Sequence, residues 1–430
     1  MRPRTSPLSR RRLLGLSAAA AAGAAAAAAC GGPAPQERGG GAASLRLLTP
    51  IFDRADGQKL LTSLLADFKK NHPGVSVQVD YTEYGKLNEK LATSIVGGQP
   101  YDVMLMGVGW IPPFVEKGVL ADLGTSQSEL DRLYNPRVVQ PGIYEGRTYA
   151  RPILLDTRMG IYRKDILAEA GIDAPPKDLT ELKEMGKELT VREGGKLTRA
   201  GVDILSNDLR QTYLPVMWAH GADLFAEGKP AFDSDEAVDA LQWMVDIIRT
   251  EKIEDYGFTQ KGAVVAPLVQ GRAAMMVGHN DMWRQVSESA PELIAEDKIA
   301  GFMLNQQRPA LFQGGTLATL SAKTRYPEQA KALVEFLSGE KVSPQAAEQR
   351  GNIPAVLSAA DSDYVRSNKL VSFAVDNLDH AFSEGGVPTW LEIREEFKPA
   401  LESALLGKSS PADALRGLAE KAEAIIAKGA

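Results

Sequence analysis

The chain has 430 residues, 44% of them hydrophobic and 24% charged, with a formal net charge of −6 and one cysteine, Cys30. One cysteine rules out an internal disulfide framework, and this length exceeds what a single hydrophobic core usually holds, so two lobes are expected. The arginines at 2, 4, 10, 11 and 12 are balanced by no nearby acid, so the body is more acidic than the whole, which argues against nucleic acid as a partner.

In chain order, "MRPRTSPLSRRRLLGLSAAAAAGAAAAAAC" has a basic start, a weakly apolar stretch over Leu13–Ala29 and a small-residue end. That is the layout of an export signal, and the apolar stretch is short for a membrane-spanning helix. "SRRRLLG" resembles a twin-arginine signal; the general secretory route is the other reading. Ala27-Ala28-Ala29-Cys30-Gly31 resembles a bacterial lipobox, with Ala27 where leucine is usual. The resemblance implies a signal peptide over 1–29 and an acylated Cys30; ordinary A-x-A cleavage is the alternative. "GGPAPQERGGG" has no apolar anchor, so 30–43 reads as a flexible tether, about a dozen residues reaching roughly 20 Å.

The body opens with a strand in "SLRLLTPIF". A helix follows, with Leu60, Leu61, Leu64, Leu65 and Phe68 at helical spacing, stopped at His72-Pro73-Gly74. "VSVQVDY" alternates as a strand, "YGKLNEKLATSIV" reads as a helix and "YDVMLMGVG" as a strand covered on both faces. This strand–helix alternation predicts an α/β doubly wound fold, in which ligands bind beyond the carboxyl ends of the strands. Further on, two extended runs flank Asp156, and helices are predicted near Lys164, over Glu181–Leu189 and in "YLPVMWAHGADLF" and "DEAVDALQWMVDIIRTEK". "VAPLVQGRAAMMVGHNDMWRQVSE" reads as helix–strand–helix and "GGTLATLSAKTRYPEQAKALVEFLSGE" as strand then helix. The tail Leu391–Lys428 is helical, with a break at Gly407–Pro411.

Taken in order over Ser44–Lys428, "GGQPYDVML", "EKGVLADL", "GRTYARPILLDTRMGIYRKDILAEAGIDAPP", "GADLF", "QGRAAMMVG", "GGTLATLSAKTRYPEQAKALVEFL" and "GKSSPADAL" resemble the extracellular solute-binding proteins of the carbohydrate class. "PPKDLTEL" departs from that pattern by lacking a tryptophan. The resemblance implies a two-lobed periplasmic-binding-protein-like α/β fold with hinge strands. The lobes would be 44–155 plus 313–372 and 156–312 plus 373–430, closing on one ligand. It also implies a sugar ligand, no cofactor, no metal, and delivery to the permease subunits of an ABC importer. The protein would be a monomer held at the outer face of the bacterial cytoplasmic membrane.

A sugar needs planar polar groups to replace water at its hydroxyls and aromatic rings to cover its C–H faces. Candidates are therefore polar and aromatic residues at strand ends. Asp53 follows the first strand, with Asp56 as a cap or a second contact. Glu83 and Tyr84 follow the second strand, and Gly107 and Trp110 follow the third. The "GVG" there is no dinucleotide fingerprint, because Pro112 and Pro113 follow it. Asp156 lies between apolar runs, where a carboxylate must be paired; the resemblance makes it a ligand-binding acid by the hinge, and a structural pair with Arg158 is the alternative. Arg210, Gln211 and His220 bracket an apolar stretch whose Trp218 reads as core, as does Trp243. "GHNDMW" brings His279, Asn280, Asp281 and Trp283 to a strand end, as contacts or as a helix cap with a core tryptophan. Gly314 and Gly315 resemble the family's cleft-lining pair. Trp390 either caps the cleft or packs at a helix start, and Arg350 and Asn352 are weaker candidates.

No GxSxG, HExxH or Walker loop is present, and the four histidines are far apart in sequence. A secreted glycosidase needs only two carboxylates, so that class remains as an alternative, as does a binder of a non-sugar solute.

Overall fold

A computed structural model describes residues 43–259 and 265–429. Cys30, the export signal and the tether lie outside the described residues. The first helix, Ala55–Asn71, buries Leu61, Leu64 and Phe68 on one face, a stripe set by the 3.6-residue period. It ends where His72 donates its N–H to the carbonyl of Phe68, just before Pro73. Strands Ala43–Thr49 and Val75–Tyr81 pair in parallel, and Val103–Gly107, buried throughout, lies parallel on the other side of Ala43–Thr49.

The main sheet runs Val75–Tyr81, Ala43–Thr49, Val103–Gly107, Pro309–Leu320, Ala150–Arg163, Ala273–His279, Lys196–Asp203, Val191–Glu193. At its centre are two long antiparallel strands, Ala150–Arg163 and Pro309–Leu320, 14 and 12 residues in length. In their register Gly314 faces Asp156, Gly315 faces Leu155 and Phe312 faces Arg158.

Both long strands change cores partway along. In Ala150–Arg163, Ile153 and Leu154 pack with Leu45, Leu47 and Phe68, whereas Met159 and Ile161 pack with Leu197, Met276 and Val286. In Pro309–Leu320, Phe312 packs with Trp218 and Met217, whereas Ala318 and Leu320 join the Leu45 core. The changeovers fall at Asp156–Arg158 and at Gln313–Thr316, the stretches where both strands carry polar residues or glycine.

The two extended runs predicted around Asp156 are one continuous strand. The acid is tolerated because side chains two apart in a strand share a face, and Arg158 therefore neutralises it. A second difference is the apolar run before Ala273, predicted as helix: 265–272 forms turns. Pro267 supplies no N–H there, and Gly271 reverses the chain at φ 71°. The remaining tail helices, Trp390–Leu405 and Pro411–Gly429, follow the predicted break.

Trp218 and Trp243 are core residues, as read from the sequence. Trp218 stacks between Phe312 and Phe382, with ring centroids 6.0 and 5.5 Å away. The Trp243 indole N–H donates to the carbonyl of Leu179 at 2.7 Å.

Candidate functional site

A cavity of about 510 Å³ opens at the changeover of the two long strands, within the 300–1,000 Å³ usual for small-molecule sites. Its floor is Gly314, Gly315 and Thr316. The glycines are sterically required. A Cβ on Gly314 would lie 2.3 Å from Asp156 Oδ1, and one on Gly315, at φ +139°, would lie 2.4 Å from the Leu154 carbonyl oxygen. The close approach brings the Asp156 carboxylate flat against the neighbouring strand.

Three loops at the carboxyl ends of parallel strands form one wall. Asp53 follows Ala43–Thr49 and accepts from Arg350 at 3.0 Å. Tyr84 opens the helix Tyr84–Val96, and its hydroxyl bonds Thr316 Oγ1. Burial of that hydroxyl pushes its pKa up to about 12, so it stays a neutral donor and acceptor. Gly107 ends Val103–Gly107 and Trp110 follows it, and both line the cavity. Trp110 is 6% exposed, stacks on Phe114 at 6.0 Å, and has the Arg394 guanidinium 5.9 Å from its ring.

The opposite wall is built around Arg158. Its guanidinium donates to Asp156 Oδ1 and to Gln211 Oε1 and lies 5.1 Å from the Phe312 ring. Asp156 is paired with Arg158, as the alternative reading has it, and it also lines the cavity. His279 Nε2 stands 3.6 Å from the same carboxylate. On its other side, His279 Nδ1 lies 2.9 Å from both the backbone N and Oδ1 of Asp281. The two contacts are alternatives: a neutral Nδ1 accepts the N–H, and a protonated one donates to the carboxylate. Burial pushes the Asp281 carboxyl up, but His279, Arg158 and Arg284 outweigh it and hold it at about 2. Arg210, 5% exposed, pairs with Glu384. Burial and the Arg394 charge bring its guanidinium down to about 10.

Of the residues selected from sequence, Asp53, Tyr84, Gly107, Trp110, Asp156, Arg210, Gln211, Asp281, Gly314 and Gly315 meet in this cavity, together with Arg350 and Asn352. Five others do not face it. Glu83 points to solvent and pairs with Lys86 at 3.8 Å. His220 closes the C-terminus of the helix Leu209–Ala219, its Nδ1 2.8 Å from the Val216 carbonyl, and burial lowers its pKa. Asn280 is fully buried: its Oδ1 accepts from the Thr157 N–H at 2.8 Å and its Nδ2 donates to the Gly351 carbonyl at 3.0 Å. Trp283 packs against the core containing Met282 and Val286. Trp390 is fully buried at its helix start, edge-on to Phe225 and Phe397. Glu83 and His220 are satisfied within one helical turn of their own positions, whereas Asn280 and Trp390 take partners from elements remote in sequence.

His279, from the "GHNDMW" group, also lines the cavity, as do Arg54, Arg284, Thr316, Gln349, Glu384 and Arg394, which nothing in the sequence singled out. Arg158 entered only as a partner for Asp156. Two of these were within reach: Thr316 follows the glycine pair directly, and Arg394 lies one helical turn after Trp390.

The family model for bacterial extracellular solute-binding proteins matches residues 53–343. A protein of Brucella abortus (strain 2308) described as a binding protein is 25% identical over 371 residues, which is 84% of this chain and 88% of that one. The diacetylchitobiose-binding protein DasA of Streptomyces coelicolor is 22% identical over 373 residues, covering 79% of this chain and 80% of its own. Among solved structures, the sugar-binding protein MalE of Xanthomonas citri superposes with a TM-score of 0.77 at 22% identity, over 90% of this chain and 98% of that one, so the fold is shared. A cavity walled by loops at strand ends on this fold, and a family match that spans most of the body, place the chain among the bacterial extracellular solute-binding proteins.

Proposed function

We propose that the protein binds a sugar or oligosaccharide outside the bacterial membrane and hands it to the transmembrane subunits of an ABC importer, catalysing no reaction itself. The observation that carries this reading is the cavity at the strand changeover. There, planar polar groups (Asp53, Asp156, Arg158, Gln211) line one cavity together with Trp110, the combination a polyhydroxylated ring requires. Beyond Glu384 lies a further hollow of about 470 Å³ lined by Tyr144, Phe225 and Phe382, room for a second sugar unit. The relatives named for diacetylchitobiose and sugar support the same class of ligand.

The lobes in this reading are 44–155 plus 313–372 and 156–312 plus 373–430, hinged where the long strands change cores. Closure buries the ligand between them. The protein acts as a monomer. Cys30 carries the lipid that holds it at the membrane, supported by the small residues before it and the glycine-rich run after it. Among the described residues no helix is long and apolar enough to cross a membrane.

Titration of the purified protein against a panel of mono- and oligosaccharides tests the ligand class, by calorimetry and by the fluorescence of Trp110. Saturable binding of at least one sugar, recovered unchanged after incubation, is expected. Saturable binding of another solute class with none of any sugar replaces the reading. For the anchor, mass spectrometry of the mature N-terminus is expected to find an acylated Cys30; an unmodified Cys30 or cleavage elsewhere would mean release.

A further inference from the structure

Among the described residues the cavity is lined by six arginines (Arg54, Arg158, Arg210, Arg284, Arg350 and Arg394), no lysine and four carboxylates. This excess of positive charge sits in a molecule that is acidic overall. Three of the carboxylates are already used. Asp53 takes Arg350, Asp156 takes Arg158, and Glu384 takes Arg210. Asp281 sits against His279. What remains is guanidinium without a full counter-charge inside the site: Arg394 shares Glu384 at 3.9 Å and otherwise pairs with the exposed Glu395 at 3.2 Å outside the cavity, Arg284 reaches only Glu288 outside the cavity, and Arg54 makes no ion pair among the described residues. Within this set, Arg158 is 8% exposed, and its Nε has no hydrogen-bond partner among the described residues. A buried guanidinium N–H without an acceptor is costly and adds to the uncompensated positive charge at this wall.

Resting on the sugar-binding reading, we propose that the ligand is an anionic carbohydrate, a sugar bearing a carboxylate or a phosphate. Its ring lies in the cavity beside Trp110, and its charge is seated by Arg158 and Arg394 beside Arg210. Guanidinium groups suit this task, because their planar forks match carboxylate and phosphate oxygens in pairs. The crowding of like charge supports the placement: Arg394 and Arg158 both act to lower the Arg210 pKa, and an anion between them would remove that repulsion. A neutral sugar would leave the same charges uncompensated as water is expelled on closure.

Calorimetry of the full-length protein tests this with matched pairs: digalacturonate against galactobiose, and glucose 6-phosphate against glucose, with acetate and inorganic phosphate as free anions. At least one charged sugar is expected to bind ten times or more tightly than its neutral partner and to weaken as salt is raised from 20 to about 200 mM. The arm that responds distinguishes a uronate from a phosphosugar. Arg394→Gln is expected to cut that affinity at least tenfold and to flatten the salt dependence, with an unchanged melting temperature showing that the fold is intact. Neutral sugars binding as tightly as charged ones, with no salt dependence, overturn the inference and leave the sugar reading in place. Inorganic phosphate or acetate binding as tightly as the charged sugars overturns it in favour of a simple anion. Binding of no sugar, charged or neutral, removes both readings.

Discussion

Asp156 joins three demands at one carboxylate. It neutralises Arg158, faces His279 across 3.6 Å, and lies against the bare backbone of Gly314. Its replacement by alanine frees a buried guanidinium and removes an acceptor from the cavity wall. Asp156→Ala is therefore expected to weaken sugar binding at least tenfold in a calorimetric titration and to lower stability by about 1–3 kcal/mol. Circular dichroism should still report the folded protein; unchanged affinity would take Asp156 out of the site. The pairing with Arg158 was readable from sequence, because an acid two residues before an arginine in an apolar strand has few other partners. The inward direction of Glu384 and Arg394 was not, since it depends on Arg210 arriving from a helix some 170 positions earlier in the chain.

At the level of elements, the strand Lys196–Asp203 ends on a buried pair of acids. Asp203 and Glu254 are both 0% exposed. Asp203 accepts from the N–H groups of Leu205 and Ser206, while Glu254 Oε2 accepts from the Ile204 N–H. Burial raises both pKa values, Glu254 well above the usual carboxylate range, with the adjacent Asp203 charge adding to the rise. Glu254 thus keeps a proton in the fold at pH values where the unfolded chain has lost it. The folded state then binds more protons, and stability falls as pH rises from the ordinary glutamate value through the raised one. Urea midpoints measured from pH 5 to pH 8 are expected to decline in the native protein and to stay nearly level in Glu254→Gln, whose amide donates to Asp203 without titrating. An identical decline in the variant would place the proton elsewhere. The elements themselves were largely legible. "VSVQVDY" forms the strand Val75–Tyr81 as its alternation required, and the helix Ala55–Asn71 ends at the predicted stop. Where the reading failed, at 265–272, an apolar run short enough for a helix turn contained Pro267 and Gly271, and packing rather than periodicity decided its form.

For the whole molecule, the two long strands pass from one core to another and place the cavity where they change over. Glycine and polar residues at both changeovers leave little apolar packing to resist bending, while Asn280 ties Thr157 to Gly351 across the same region. Under the proposed two-lobed reading, saturating ligand is expected to reduce the radius of gyration in small-angle X-ray scattering by a measurable fraction of an ångström to about 1 Å. The expectation rests on hinge closure of this fold class. No change in the scattering profile on ligand saturation would show a site that fills without closing.

The sequence by itself determined the class of fold, the order of strands and helices, the core tryptophans Trp218 and Trp243, and most of the polar groups at the strand ends. These follow from periodicity, from breakers, and from the cost of leaving a charge unpaired in an apolar run, all local properties of the chain. Tertiary structure alone decided which polar groups face the ligand cavity. Asn280, Trp283 and Trp390 have the composition of contacts and are used for internal bonding and packing, whereas Arg284 and Arg394 looked ordinary and became part of the wall. A side chain's direction at a site between two cores is set by partners distant in sequence. The excess of arginine there emerges only once six separate segments have been folded together.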